Sequence, residues 1–208
     1  MKRLIGGILS LILIFSMILP MQSCDEVISD PPELSEVRER FIYLIEESKE
    51  LNIILFGKGL PVYNEDSEIS DRKMVYFNNN TGNYSIVMEN SEFLTVDSMK
   101  MAVEKVYSKD YAADIYESAF DGVMTGVASA YVRFYDNGKN LCQNKNATEF
   151  KISERIYDYS SMEIVEPSSG DYVNIEIDSY TVDDPTVRRI KLSFVLENNN
   201  WYLDSPSY

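Results

Sequence analysis

The apolar positions of this chain change period twice, and the changes divide it into parts. Residues 4–19 are an almost unbroken apolar run, interrupted only by Gly6, Gly7, Ser10 and Ser16. From Leu34 the apolar residues thin to a stripe of Leu34, Val37, Phe41, Leu44, Leu51 and Ile54, with Ser48 in the one gap and charged residues opposite. That spacing predicts a helix over roughly residues 33–55. Gly57, Gly59 and Pro61 stop it, and Val62 and Tyr63 predict a short extended segment. Residues 74–77 and 84–88 flank a run of Asn, Thr and Gly, the pattern of a hairpin. Asp97 is placed to cap a helix carrying Met99, Ala102, Val103 and Val106. Ser108 is placed to cap another with Tyr111, Ala112, Ile115, Tyr116 and Ala119, so the two form a bent pair.

Beyond residue 130 the period falls to two. Residues 131–135, the turn Asp136-Asn137-Gly138 and a return strand near Leu141 predict a second hairpin. Three longer strands are predicted over 152–165, 171–181 and 187–197, followed by a last one at 201–204 after the turn 197–200. In the middle strand Val173, Ile175, Ile177 and Ser179 alternate with Tyr172, Asn174, Glu176, Asp178 and Tyr180. One face is therefore apolar and the other acidic and aromatic. Helices first and antiparallel strands afterwards define an α+β fold, with N-terminal helices packed on a bent antiparallel sheet.

The first segment adds a destination. Lys2 and Arg3 precede the apolar run, and Pro20, Gln22 and Ser23 follow it, which is the layout of a secretory signal. Sixteen apolar residues fall short of the roughly 20 that span a bilayer, so a permanent transmembrane anchor is the second reading. Met21-Gln22-Ser23-Cys24 resembles a bacterial lipobox, in which the cysteine becomes the lipidated N-terminus; Ser23 and Cys24 fit, whereas Met21 and Gln22 depart from the usual residues. The resemblance implies a signal peptide over 1–23, a lipidated Cys24 with a tether to residue 33, and one domain over 34–208. A diacylated cysteine supplies the two chains that stable anchoring requires. Cys142 then stands alone, and no intramolecular disulfide can form.

Charge and composition narrow the chemistry. The chain has 19 basic and 34 acidic residues, for a net charge of −15, and losing Lys2 and Arg3 with the signal would take it to −17. Such a charge repels nucleic acid and anionic lipid head groups, and argues for a cationic partner, a cation or simple solubility. Histidine is absent, which removes the commonest general base and metal ligand. Asp183-Asp184 sits beside Pro185 in a predicted turn, and Glu65, Asp66 and Glu68 fall in a predicted loop; neither is spaced as a catalytic dyad or a calcium loop. The sequence predicts no catalytic residue, no metal site and no cofactor. The candidate partner-binding face is Tyr172, Glu176, Asp178 and Tyr180, where aromatic rings supply contact area and acids steer a basic partner.

Four further stretches carry a resemblance: Leu94-Thr95-Val96-Asp97-Ser98-Met99-Lys100 running into Val106-Tyr107-Ser108-Lys109-Asp110-Tyr111, then Phe134-Tyr135-Asp136-Asn137-Gly138, and the tail from Trp201 to Tyr208. With the lipoprotein signal and the leading helix, they look like small extracytoplasmic lipoproteins of Gram-positive bacteria with cystatin-like or NTF2-like cores. Among these the chain resembles the DL-endopeptidase inhibitor family, whose members bind and block cell-wall peptidases. The resemblance implies a membrane-anchored extracytoplasmic binding protein that inhibits a cell-wall hydrolase. The alternative is an NTF2-like lipoprotein with a small ligand in a tyrosine-lined pocket.

Overall fold

The structure is a computed structural model that describes residues 29–63, 84–121, 132–144 and 152–208 in full, and 124–125 and 128–129 through their backbone pairing. The element order is α1 (Leu34–Phe56), β1 (Tyr84–Ile86), α2 (Val96–Val106), α3 (Lys109–Tyr116) with a π-helical turn over Glu117–Asp121, then the strand pair β2 (Met124–Thr125) and β3 (Ala128–Ser129). After them come β4 (Phe134–Asp136), β5 (Leu141–Asn144), β6 (Arg155–Val165), β7 (Tyr172–Thr181), β8 (Arg188–Glu197) and β9 (Asn200–Leu203). The fold is α+β, with the helices packed against an open antiparallel sheet, as the order of periods predicts. The strands divide further than the periodicity shows. The four-stranded meander β6-β7-β8-β9 forms one sheet and β1-β5-β4 another.

Helix α1 lies across the meander because its stripe matches the apolar face of the strands. Phe41, Leu44 and Ile45 meet Ile175, Ile177, Leu192 and Phe194, all without solvent exposure. Phe41 stacks on Phe194 with ring centroids 3.9 Å apart, and Trp201 meets Phe41 edge-on at 5.5 Å. Such pairs add about 1 kcal/mol each beyond the burial of their area. The sheet bends at β6, where the register with β7 shifts between Asp158 and Glu163. Extra residues on one strand raise local twist. Helix α1 holds this bulge: Arg38 donates to the Tyr159 carbonyl at 3.0 Å, and the Tyr159 hydroxyl donates to Glu46.

Helix starts follow local chemistry, with one correction. Thr95, not Asp97, caps α2: its hydroxyl accepts from the Ser98 amide at 3.0 Å, and the Ser98 hydroxyl accepts from the Thr95 amide at 3.3 Å. The reciprocal pair satisfies two free amides at once, which Asp97 alone could not do. Asp97 instead sits in the first turn, where a carboxylate suits the helix dipole. Ser108 caps α3 as expected, accepting from the Tyr111 amide at 3.0 Å.

The end of α1 is closed from the second sheet. Arg133, 4% exposed, donates through Nε to the Ile54 carbonyl at 3.3 Å and through Nη2 to that of Gly57. Burial pushes its guanidinium down to about 10, which leaves it charged at neutral pH beside the negative end of the helix. Gly59 follows with φ +77°, and a Cβ there would meet the Gln143 side chain at 2.4 Å. Gln143 needs that space to accept from the Leu60 amide at 2.7 Å.

The expected hairpin around 78–83 meets the structure only in part. Residues 74–77 lie outside the described residues, and β1 pairs with β5, with Tyr84 opposite Asn144. Cys142 on β5 is fully buried, in a small cluster with Tyr84, Ile86 and Val132. Burial pushes its thiol up to about 11, so it stays protonated at neutral pH.

Replacing Arg133 with Met keeps the apolar stem and removes the donors to Ile54 and Gly57. Denaturant unfolding is expected to show a loss of about 3 kcal/mol, the cost of leaving buried carbonyls unpaired. A loss under about 0.5 kcal/mol would show that this contact does not close the helix.

Candidate functional site

The residues expected on the acidic-aromatic face do share one side of β7, but most of their polar groups are engaged with neighbouring strands. Glu176 and Asp178 both bind Arg189 of β8: Nε to the Glu176 carboxylate at 3.0 Å and Nη1 to the Asp178 carboxylate at 3.1 Å. Glu163 of β6 binds the remaining nitrogen of the same guanidinium. The register explains the convergence, since Asp178 lies opposite Arg189 and Glu176 opposite Glu163. Three carboxylates share one cation, so the patch stays negative while the field of each acid is partly cancelled.

Tyr172 bonds at its hydroxyl to Ser193 at 3.2 Å, and Asn174 is 1% exposed beneath residues 167–168. Tyr180 is half-buried opposite Ile156. Cys24 lies outside the described residues. Within the segment expected to be a tether, the Ser29 carbonyl accepts from the Gly170 amide at 2.9 Å.

The acids weighed as catalytic candidates serve a turn. Asp184 accepts from the Thr186 amide at 3.1 Å and pairs with Arg188 at 2.8 Å, and Asp183 accepts from Ser153. The hydrogen bond from Thr186 is the main influence holding the Asp184 carboxyl below its usual range. Glu65, Asp66 and Glu68 lie outside the described residues. Among the described residues, no group of three acidic or cysteine side chains is placed to hold a metal ion. No described helix is long and apolar enough to cross a membrane.

The periodicity did not reveal a cleft of about 440 Å³ at the edge of the sheet. Tyr107 and Ala112 form buried parts of its lining, and Glu104, Lys109, Tyr116, Glu197 and Tyr202 surround them. Its cause lies in the corner between α2 and α3, which is docked on strand β9. The Ser108 amide donates to the Leu203 carbonyl at 2.9 Å and its hydroxyl to Asp204, while Tyr107 bridges to Leu203. Small Ala112 and Ala113 on α3 then leave room that a larger side chain would fill.

The acids at the cleft are held in place. Glu104 accepts from the Tyr116 hydroxyl at 2.8 Å, and Glu197 accepts from the Lys109 amide at 3.1 Å. Burial, and next the Glu104 carboxylate, raise the Tyr116 hydroxyl well above its ordinary range and keep it protonated. The Tyr116 and Tyr202 rings already attract cations of the chain itself: Lys100 Nζ lies 4.7 Å from the first and the Arg40 guanidinium 5.9 Å from the second. Signals for this site existed in the sequence, in the neighbouring alanines and the tyrosines of the α2–α3 corner, α3 and β9. Only the docking of the corner on β9 brings them together.

No protein-family model matches the chain, and none of the curated proteins matches it.

Arg189 can be tested through the acids it holds together. Arg189→Gln is expected to melt below the parent at low ionic strength, with the gap narrowing as salt screens the exposed carboxylates. A gap independent of salt would mean that the guanidinium acts through packing alone.

Proposed function

We propose that the chain is a lipid-anchored, non-catalytic binding protein on the outer face of a bacterial membrane, held through Cys24, whose partner is a protein. In the first instance that partner is a cell-wall peptidase, which it inhibits. The observation that carries this reading is the filled space between α1 and the meander, where the stacked Phe41 and Phe194 rings occupy the middle of the interface. No small ligand fits between helix and sheet there, so the alternative reading, a small ligand in a tyrosine-lined pocket, would have to use the cleft at the edge of β9. Recognition therefore belongs to the outside of the domain.

The surface suits that role. It is strongly acidic, with a cleft at one edge and a patch of converging carboxylates on the sheet. Acidic surfaces raise the rate of encounter with basic ones and select among partners. Acylated at Cys24, the chain would hold Ser29 no more than about 20 Å from the membrane surface, from the reach of an extended backbone. Ser29 meets the 166–171 loop, and Asp171 pairs with Leu196 beside the β8–β9 turn. The end of the sheet that carries Glu197 is thus the end nearest the lipid.

Two measurements separate anchor from inhibition. In a bacterial host fed an alkyne-tagged fatty acid, the parent is expected to take up label and sediment with membranes, and Cys24→Ala to lose both. Retained label in the variant would overturn the anchor. With purified peptidoglycan as substrate, full-length protein in zwitterionic detergent is expected to block a DL-endopeptidase stoichiometrically, and less well as salt rises. Undiminished hydrolysis at excess protein would overturn the inhibitor reading.

A further inference from the structure

The cleft at the edge of β9 has three features that together specify an occupant. Its volume of about 440 Å³ falls within the range that holds small molecules or inserted side chains. Three tyrosines line it, and aromatic faces attract cations through their ring quadrupole. Of its charged residues two are carboxylates and one is an ammonium, so a cation entering it gains more than an anion. The carboxylates keep acceptor capacity after their internal bonds, because an ionised carboxyl takes about four hydrogen bonds.

We propose that this cleft receives a lysine or arginine side chain from a partner polypeptide, against Tyr107, Tyr116 and Tyr202 and between the carboxylates of Glu104 and Glu197. The site is an open cleft rather than an enclosed cavity, which fits a side chain projecting from another surface better than a free metabolite. Cations of the chain itself compete with it: Lys109 is among the lining residues, and Lys100 and Arg40 already lie over the Tyr116 and Tyr202 rings. The proposal rests on the reading of the chain as a protein-binding protein, but its assay uses no hydrolase, so the two can fail separately.

The test uses full-length protein in zwitterionic detergent and a blocked, fluorescein-labelled peptide of alternating arginine and alanine, followed by anisotropy. A lysine version of the peptide, and a glutamate version as control, complete the set. Glu104→Gln with Glu197→Gln preserves both internal acceptors and removes both charges. Binding of the basic peptides is expected to fall about tenfold in this double variant, as expected when two charge-assisted contacts are lost. Ala113→Arg, at an exposed position of α3, is expected to weaken binding by a similar factor by supplying a competing cation. Lys109→Gln is expected to strengthen it.

The control is Glu47→Gln with Glu50→Gln, two exposed acids of α1 that do not line the cleft. It removes the same charge and is expected to leave affinity unchanged. Equal weakening by both double variants would reduce the attraction to net charge and overturn the proposal. So would failure of the basic peptides to bind, or binding of the glutamate peptide as tightly as the arginine one.

Discussion

One buried amide holds the helix, the corner and the tail in register. Asn52 of α1 donates through Nδ2 to the Ser207 hydroxyl at 2.9 Å and accepts at Oδ1 from the Tyr107 hydroxyl at 2.8 Å. Ser48, one turn earlier, donates to the Ile45 carbonyl at 2.6 Å and lies 2.6 Å from the same Ser207 oxygen. Because Ser48 has one proton and uses it on Ile45, Ser207 must be the donor between the two serines. The chain of donors thus has a single direction, from Asn52 through Ser207 and Ser48 to the helix backbone. Tyr157 adds a bond to the Ser207 carbonyl from β6. All four side chains of the relay are at most 1% exposed, so each group would be costly to leave unpaired.

The surface features follow from this relay. Docking of the tail places Asp204 where it accepts from Ser108, and Ser205 where it accepts from the Ser193 amide. With Ser108 fixed, the corner between α2 and α3 covers the outer edge of β9. Arg40 covers the next carbonyl of that edge, donating to Trp201 at 2.9 and 3.1 Å. An edge whose acceptors are satisfied in this way cannot recruit another strand, and what remains open there is the aromatic cleft rather than backbone. The buried polar groups and the exposed cleft are two sides of one corner.

The parts of the structure legible in the sequence are those that local periodicity encodes. The stripe of α1, the alternation of β7 and the Asp-Asn-Gly turn each appear at close to their predicted positions, because each burial pattern repeats within a few residues. Ser48 marked the gap in the stripe, but its partner lies 159 residues away, and no spacing rule reaches that far. Arg133 was hidden for the same reason, since a basic residue before a strand looks solvated until the end of α1 is beside it. The pairing of β1 with β5 depends on contacts nearly sixty residues apart. Asp97 was a plausible cap by type, and only the side chain of Ser98 decides for Thr95. The residues of the candidate face share one side of β7, while the guanidinium that gathers its acids came from a neighbouring strand.

The central claim is that Asn52 and Tyr107 act together, so that neither keeps its value without the other. A double-mutant cycle of Asn52→Ala and Tyr107→Phe, measured by denaturant unfolding of the full chain, tests it most directly. A coupling energy of about 1 kcal/mol or more is predicted, the range for groups in one buried network. Single losses that simply add, to within about 0.4 kcal/mol, would contradict the account.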